Sequence, residues 1–418
     1  SSKSGSSDMV TELTEPITIE MWHYMNGGQA DALNSIIEDF NATNDKGITV
    51  NAISQGSIVD LNKKVISAAQ SNSLPAIINV YPDIATGLIE DKKLVNLSSF
   101  INDKNVGMAD EMDDFVDSFI QETSQWNNGE VYGLPMTKST EVLYVNKNML
   151  ESLGYTLEDL EGLTFEKLAE ISNKAVTELG VAGFGFDSSS NAFISSLKMN
   201  GLDFVDSKGT INVDNEWVRE YMKFFQKQAE SGAFRIAGED KFLSNPFVNQ
   251  KMLCYQGSSA GYAYLNNGGA FEIAVVEVPV FEGKDKAVIQ QGASLFVTNN
   301  VSAEAQYAAY EFVKFATNAE NTAKFATATG YLPVRKSAVE TEIVKNILND
   351  ETSLYSQVYN VAQKSLPYSY YTPAINNAQS ARTVAQEKYE AFMSGSIKDV
   401  EVLVDDIVSQ VQTSIGRN

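Results

Sequence analysis

The sequence is poor in the residues that most often carry metal and redox chemistry. Its 418 residues include one histidine, His23, and one cysteine, Cys254. A single cysteine excludes an internal disulfide and a Cys-x-x-Cys redox pair, and one histidine with one cysteine cannot form a closed zinc site. The sequence also lacks a calcium-binding run of the form D-x-[DN]-x-[DN]-G. We therefore predict no metal site and no cofactor.

Basic residues and long apolar runs are also scarce. The chain has 31 lysines and arginines against 54 aspartates and glutamates, a net charge of -23, which disfavours binding to nucleic acid or anionic lipid. No stretch approaches the roughly 18 apolar residues that a membrane span needs. With 43% hydrophobic and 20% charged residues, the composition is that of an ordinary globular protein. The length predicts two domains of roughly 200 residues each.

A serine hydrolase motif occurs once, without the base that it needs. Residues 257–261 (GSSAG) fit the pattern G-x-S-x-G, but no histidine follows them in the chain, and His23 lies far upstream. We interpret this run as a turn of small residues whose N–H and hydroxyl groups point at a ligand. Paired carboxylates of a glycosidase remain possible, since two distant acids can meet in a cleft. We predict no catalytic residues, and an extracellular glycosidase or esterase remains the alternative from another class.

Hydrophobic periodicity predicts an α/β fold. Residues 17–22 and 48–53 alternate as half-buried strands, residues 76–81 form a nearly continuous apolar strand, and helical patterns lie between them. The resulting βαβαβ order predicts a parallel sheet. Ligands bind at the carboxyl ends of such strands, so the loops after Trp22, Tyr81 and Asn146 should carry the polar residues of the site.

The strand and helix pattern also predicts where the domains divide. It breaks near residues 133–135 (GLP), a new strand begins at 141–146, and strand character returns at 287–297. The opening SSKSGSS is small and polar, as in a lipoprotein tether or a cloning remnant. We predict a flexible tether over 1–16, an N-terminal lobe over 17–135 and 290–335, and a C-terminal lobe over 136–289 and 336–418.

An ordered series of motifs carries a resemblance to a known family. The motifs are MWHYM (21–25), LPAIINVY (74–81), STEVLYVNK (139–147), GSS (257–259), GASL (292–295), TGYLPV (329–334) and RTV (382–384). With this series the chain resembles the family 1 extracellular solute-binding proteins, and within them the glycerol-3-phosphate-binding branch. The similarity covers nearly everything after the tether.

The resemblance implies an architecture and partners. It implies two discontinuous α/β lobes, each a mostly parallel sheet flanked by helices, with the ligand in the cleft between them. Such a receptor closes on a small polar solute and delivers it to the membrane permease of an ABC importer without performing chemistry. It would be extracytoplasmic, periplasmic or anchored to the cell surface as a lipoprotein, and a monomer.

The resemblance also implies ligand-binding residues. The family's ligand contacts map onto Ser139, Ser258, Ser259, the backbone of Gly292, Tyr331 and Arg382. Arg382 would read a phosphate, because its planar donors meet phosphate oxygens in a bidentate fork. Independently of the resemblance, the aromatic and hydrogen-bonding side chains of Trp22, His23 and Tyr24 at the end of the first strand, beside a glycine loop, would suit sugar rings or anions. Asp83 would accept a hydrogen bond from a ligand hydroxyl.

Three departures from the branch leave the ligand open. Ile58 stands where the branch has a contacting tyrosine, Pro82 stands where it has a glutamate, and residues 184–189 (FGFDSS) replace a tryptophan-bearing loop. Glycerol 3-phosphate, a glycerophosphodiester and a sugar all remain candidates, with a neutral oligosaccharide as the alternative within the class. An adhesin or structural lipoprotein is a third possibility.

Overall fold

The computed structural model describes residues 9–416, which form two compact units. The first unit comprises the described residues up to Lys138 together with Gly292–Asn349, and the second comprises Ser139–Gln291 and the described residues from Asp350 onward. Residues 1–8 of the predicted tether lie outside the described residues, and residues 9–16 form neither helix nor strand. None of the helices within residues 9–416 combines the length and apolar character that a membrane crossing requires.

The first unit begins with alternating strands and helices. These are β1 (Ile17–His23), α1 (Gly27–Thr43), β2 (Ile48–Ser54), α2 (Ile58–Gln70), β3 (Ile77–Val80), α3 (Pro82–Glu90), α4 (Ser98–Ile101), α5 (Asp117–Glu122) and β4 (Gly133–Ser139). As the βαβαβ pattern predicted, β1 pairs in parallel with both β2 and β3. Inward-facing apolar residues of α1, among them Leu33, Ile36 and Phe40, are buried, which follows from their helical spacing.

The second unit is richer in helix. The chain continues through β5 (Glu141–Asn146), α6 (Lys147–Ser152), α7 (Phe165–Leu179), β6 (Phe184–Gly185), α8 (Ser189–Lys198), α9 (Glu216–Glu230), β7 (Phe234–Arg235), α10 (Ser244–Val248), β8 (Cys254–Ser258), β9 (Ile273–Val276) and β10 (Val288–Ile289). It then returns to the first unit with β11 (Gln291–Val297), α11 (Ala303–Ala316), α12 (Ala319–Thr329) and α13 (Glu342–Leu348). The last elements are α14 (Leu354–Ser365), β12 (Ser369–Tyr370), α15 (Ala378–Met393) and α16 (Val400–Ile415) of the second unit.

The sheets differ between the units. In the first unit the strand order is β2-β1-β3-β11-β4, and β11 is antiparallel to β3. In the second unit β5 lies between β8 and β9 and is antiparallel to both, where a mostly parallel sheet was predicted. The prediction was wrong here because the parallel rule applies to consecutive strands joined by one crossover helix. Several helices and two short strands separate β5 from β8.

The structure assigns one segment to a different unit from the one predicted. Residues 336–349 were assigned to the C-terminal lobe, but the structure places them in the first unit. The reason is apolar packing, because Val344 of α13 and Ala338 share a buried cluster with Ala323 of α12. The chain passes between the units after Lys138, Gln291 and Asn349, a few residues from the other predicted boundaries.

Candidate functional site

The second unit contains a polar cavity of about 90 Å³. Its walls come from the starts of β5 and β11, the end of β8 and the loop before α8. The lining residues are Ser139, Thr140, Glu141, Asp187, Ser188, Asn191, Ser258, Ile289 and Gln291. Two of the sequence-predicted ligand contacts, Ser139 and Ser258, are thus brought together. Register explains part of this, because Glu141 of β5 lies directly opposite Ser258 of β8.

Glu141 is a buried carboxylate held by two side-chain amides. Its side chain is on the first residue of β5, and the residue is only 4% exposed. Oε2 accepts a hydrogen bond from Asn191 Nδ2 at 3.0 Å, and Oε1 accepts one from Gln256 Nε2 at 3.0 Å. Burial raises the pKa of Glu141 and the nearby Asp187 raises it further, while the two amides and Arg382 act in the opposite direction. Both oxygens therefore receive donors, the pattern that suits the charged form.

Asp187 adds a second carboxylate to the cavity wall. It is half-buried, and its Oδ1 accepts the backbone N–H of Leu243 at 2.8 Å. Burial raises the pKa of Asp187, and the bond from Leu243 opposes that rise. The neighbouring Ser188 caps α8 by accepting the N–H of Asn191 at 3.2 Å, which fixes where the helix begins. The cap holds the Asn191 side chain at the cavity.

Arg382 is connected to the cavity through Asn191. It lies on α15, and its Nη2 donates to Asn191 Oδ1 at 2.5 Å and to Ser190 Oγ at 3.3 Å. Asn191 Nδ2 also donates to Gln291 Oε1 at 2.9 Å. The predicted phosphate-binding arginine is thus linked through Asn191 to the cavity that the predicted Ser139 and Ser258 line, with a neutral amide between it and Glu141.

Ser259 holds two segments of the second unit together. It is fully buried, and its hydroxyl accepts the N–H of Thr140 at 3.0 Å. The backbone completes the connection, since Ser259 N–H donates to the carbonyl of Thr140 at 2.8 Å. Thr140 Oγ1 in turn donates to the carbonyl of Ile289 at 3.0 Å. The role of Ser259 as a ligand contact stays a prediction.

In the first unit the structure gathers tyrosines around β1. Tyr24 donates to Thr137 Oγ1 at 2.9 Å, its ring lies edge-on to Tyr81, and its hydroxyl is hydrogen-bonded to Tyr331. Burial raises the pKa of Tyr24, and the phenols of Tyr331 and Tyr81 add to the rise. Tyr331 stacks on Phe325 with the ring centres 5.9 Å apart. Two predicted residues, Tyr24 and Tyr331, are therefore in contact.

The remaining predicted residues of the first unit are engaged locally. His23 is 2% exposed, and its Nδ1 accepts the N–H of Met25 at 3.0 Å. Asp83 lies in the first turn of α3, where its Oδ1 accepts the N–H of Ile84 at 2.9 Å. Gly292 is buried with a φ of 134°, and a Cβ there would lie 1.7 Å from the carbonyl oxygen of Thr137. Their roles as ligand contacts stay predictions.

Sequence reasoning missed much of the cavity wall. Glu141, Asp187, Asn191 and Gln291 were not assigned to the site, although all four line it. One signal was available, because Glu141 is an acid at the head of the apolar run VLYV, and an acid in a buried strand needs a partner. Across residues 9–416, no group of three or more His, Cys, Asp or Glu side chains is arranged to hold a metal ion.

The comparison with known families identifies the class of protein. Residues 35–349 match the family described as bacterial extracellular solute-binding protein, and since this is well over half of the chain, the chain belongs to that family. It is an extracytoplasmic solute-binding protein of an ABC importer. Members of this family bind small molecules and work with ABC permeases.

Individual relatives and structures agree with this class. The chain is 23% identical, over 95% of its length and 94% of the relative's, to the sn-glycerol-3-phosphate-binding periplasmic protein UgpB of Rhizobium meliloti. The structure of UgpB from Mycobacterium tuberculosis in complex with glycerophosphocholine superposes with a TM-score of 0.80, 20% identity and coverage of 97% and 99%. The cyclic alpha-maltosyl-1,6-maltose binding protein from Arthrobacter globiformis superposes with a TM-score of 0.79 and 18% identity, and the match covers 97% of this chain and 100% of that one. These likenesses show the two-lobed α/β fold of periplasmic solute-binding proteins, and these relatives are binding proteins.

Proposed function

We propose that this receptor captures a small solute through its hydroxyl groups, in the cavity lined by Glu141 and Asp187. The supporting observation is the chemistry of the wall, which combines two carboxylates with serine hydroxyls and side-chain amides. Carboxylates accept hydrogen bonds from ligand hydroxyls and repel ligand anions. A sugar or another neutral polyol suits such a wall best.

A phosphorylated glycerol is the second candidate, and Arg382 favours it. Its guanidinium lies beside Asn191 and Ser190, next to the cavity. The names of two relatives point the same way, one binding sn-glycerol 3-phosphate and the other crystallised with glycerophosphocholine. A glycerophosphodiester carries hydroxyls and one negative charge, so it could use both kinds of group.

We propose that the chain acts without turnover and as a monomer, either anchored to the cell surface as a lipoprotein or periplasmic. The rival function, a glycosidase, would use Glu141 and Asp187 as a carboxylate pair. Against it, the amide donors on both oxygens of Glu141 and the Leu243 N–H on Asp187 Oδ1 disfavour the protonated carboxylic acid that a glycosidase needs, while each oxygen keeps a second lone pair for a ligand hydroxyl. Incubation with chromogenic glycosides and esters tests the rival, and we expect no product.

A thermal-shift panel tests the ligand class. The panel contains neutral mono- and oligosaccharides, glycerol 3-phosphate and glycerophosphodiesters. A ligand at 100 times its dissociation constant adds about 2.7 kcal/mol to stability, which is readily measured. We expect a rise with a neutral polyhydroxyl compound, whereas a rise with phosphorylated compounds alone would favour the second candidate. No thermal shift with any compound of the panel would contradict both candidate ligand classes.

A further inference from the structure

One amide connects the buried carboxylate of the second-unit cavity to the arginine on α15. Asn191 Nδ2 donates to Glu141 Oε2 at 3.0 Å, and Asn191 Oδ1 accepts from Arg382 Nη2 at 2.5 Å. Glu141 is also close enough to Arg382 for the guanidinium to stabilise its charge. The buried carboxylate and the arginine thus belong to one hydrogen-bonded network, which the amide of Gln256 extends on the other side of Glu141.

This network bears directly on phosphate binding. A phosphate group would need the donors and the positive charge of Arg382. In a poorly solvated site the negative charge of Glu141 already compensates that positive charge, and Asp187 adds a second negative charge on the cavity wall. A phosphate arriving beside Asn191 would therefore meet net repulsion. A neutral hydroxyl would meet acceptors instead.

We propose that Glu141 is a specificity-determining residue, which excludes phosphate from the Arg382 side of the cavity and selects neutral hydroxyl groups. The inference deepens the proposed function and rests on it. It differs from a general acidity of the surface, because it assigns the selectivity to one buried carboxylate that is hydrogen-bonded to the same amide as the arginine.

The test is calorimetric titration of the wild type and Glu141→Gln with sn-glycerol 3-phosphate and inorganic phosphate. Removing the charge while keeping the size should strengthen binding of sn-glycerol 3-phosphate at least tenfold, or create it where the wild type shows none. The gain should disappear in the double variant Glu141→Gln with Arg382→Gln. Glu151→Gln, an exposed acid of the same unit, is the matched control and should change nothing.

Two further readouts separate the possible failures. Glu141→Ala makes the same prediction should the glutamine variant not fold, which circular dichroism will show. Unchanged or weaker binding of both phosphate probes in the folded variants would overturn the role of Glu141. The proposed function is judged separately by the wild type, since its failure to bind any neutral sugar of the panel contradicts that function whatever the variants do.

Discussion

Lys138 and Glu122 form an ion pair in the interior of the first unit, with 3.0 Å between Nζ and Oε1. The lysine side chain is wholly buried and the glutamate nearly so. Lys138 Nζ also donates to the carbonyl of Gly292 at 3.3 Å. The pair therefore holds the backbone of a residue that the sequence predicts to contact the ligand.

Breaking this pair from one side should be costly. Lys138→Met removes the cation and leaves Glu122 as a buried charge without its partner, so we expect a loss of about 3 to 5 kcal/mol in the free energy of unfolding. Urea denaturation measures it. Lys336→Met is the control, because Lys336 forms a 2.8 Å pair with Asp117 at the surface of the same unit and should cost less than about 1 kcal/mol. Equal losses in the two variants would contradict a structural role for the buried pair.

Gly292 should not tolerate a side chain. Its φ of 134° disfavours every other residue, and a Cβ would lie 1.7 Å from the carbonyl oxygen of Thr137. We expect Gly292→Ala to lower the free energy of unfolding by at least about 3 kcal/mol. Gly28→Ala is the matched control, because a Cβ there meets nothing within 4 Å and the residue lies in α1. A loss of less than about 1 kcal/mol for Gly292→Ala would show that β11 and β4, the strands of Gly292 and Thr137, can move apart.

Periodicity was sufficient to predict the three parallel strands of the first unit's sheet, but not the antiparallel β11 beside them. The predicted strands 17–22, 48–53 and 76–81 coincide with β1, β2 and β3 within a few residues. The alternation of buried and exposed side chains is a local property, so each strand could be identified without knowledge of its neighbours. The parallel pairing then followed from the helices between the strands.

Long-range pairing was not accessible in this way. The amides that donate hydrogen bonds to Glu141 belong to Asn191 and Gln256, which lie 50 and 115 residues further along the chain. A single sequence does not say which distant amide satisfies a buried acid, so Glu141 was overlooked while Ser139 and Ser258 were assigned by resemblance. The antiparallel pairing of β5 with β8 has the same origin, since about a hundred residues separate the two strands.

His23 should titrate far below the usual range of histidine. Burial lowers the pKa of His23 from 6.5 to about 4, so the imidazole remains neutral in the folded protein above that pH. The unfolded chain binds a proton between pH 6.5 and about 4 and the folded chain does not, so stability should fall as pH drops through this window. The shift corresponds to a loss of about 3 kcal/mol in the free energy of unfolding across the whole window.

Because His23 is the only histidine, its titration is simple to follow. Nuclear magnetic resonance of the imidazole gives one set of signals. Urea unfolding between pH 4 and 7.5 gives the slope of the free energy of unfolding against pH. The control is His23→Asn, whose Oδ1 can accept the N–H of Met25 as Nδ1 does. We expect the slope in the window to shrink in the variant. Titration of the folded wild type near 6.5 would contradict the burial of the ring.

Glu141 should give the opposite dependence on pH. Its pKa is raised above the ordinary 4.5 mainly by burial, so between pH 4.5 and the raised pKa the folded protein holds a proton that the unfolded chain has released. Above the raised pKa the carboxylate carries the negative charge on which its proposed selectivity depends. Stability is therefore lost as pH rises from 4.5 through the raised pKa. Glu141→Gln cannot ionise, and we expect its free energy of unfolding to increase relative to wild type across this window. Urea unfolding of both proteins from pH 4 to 8 measures the difference.

Glu401 in the same unit provides a control of the reverse sign. Hydrogen bonds from Arg219 lower the pKa of this exposed carboxylate, so its stabilising effect is present above 4.5 and is lost as pH falls through the lowered pKa. Glu401→Gln should therefore become less stable relative to wild type as pH rises through that lower window. If Glu141→Gln follows the same trend as Glu401→Gln, the hydrogen bonds from Asn191 and Gln256 together with the attraction of Arg382 outweigh burial, and the pKa of Glu141 is lowered rather than raised.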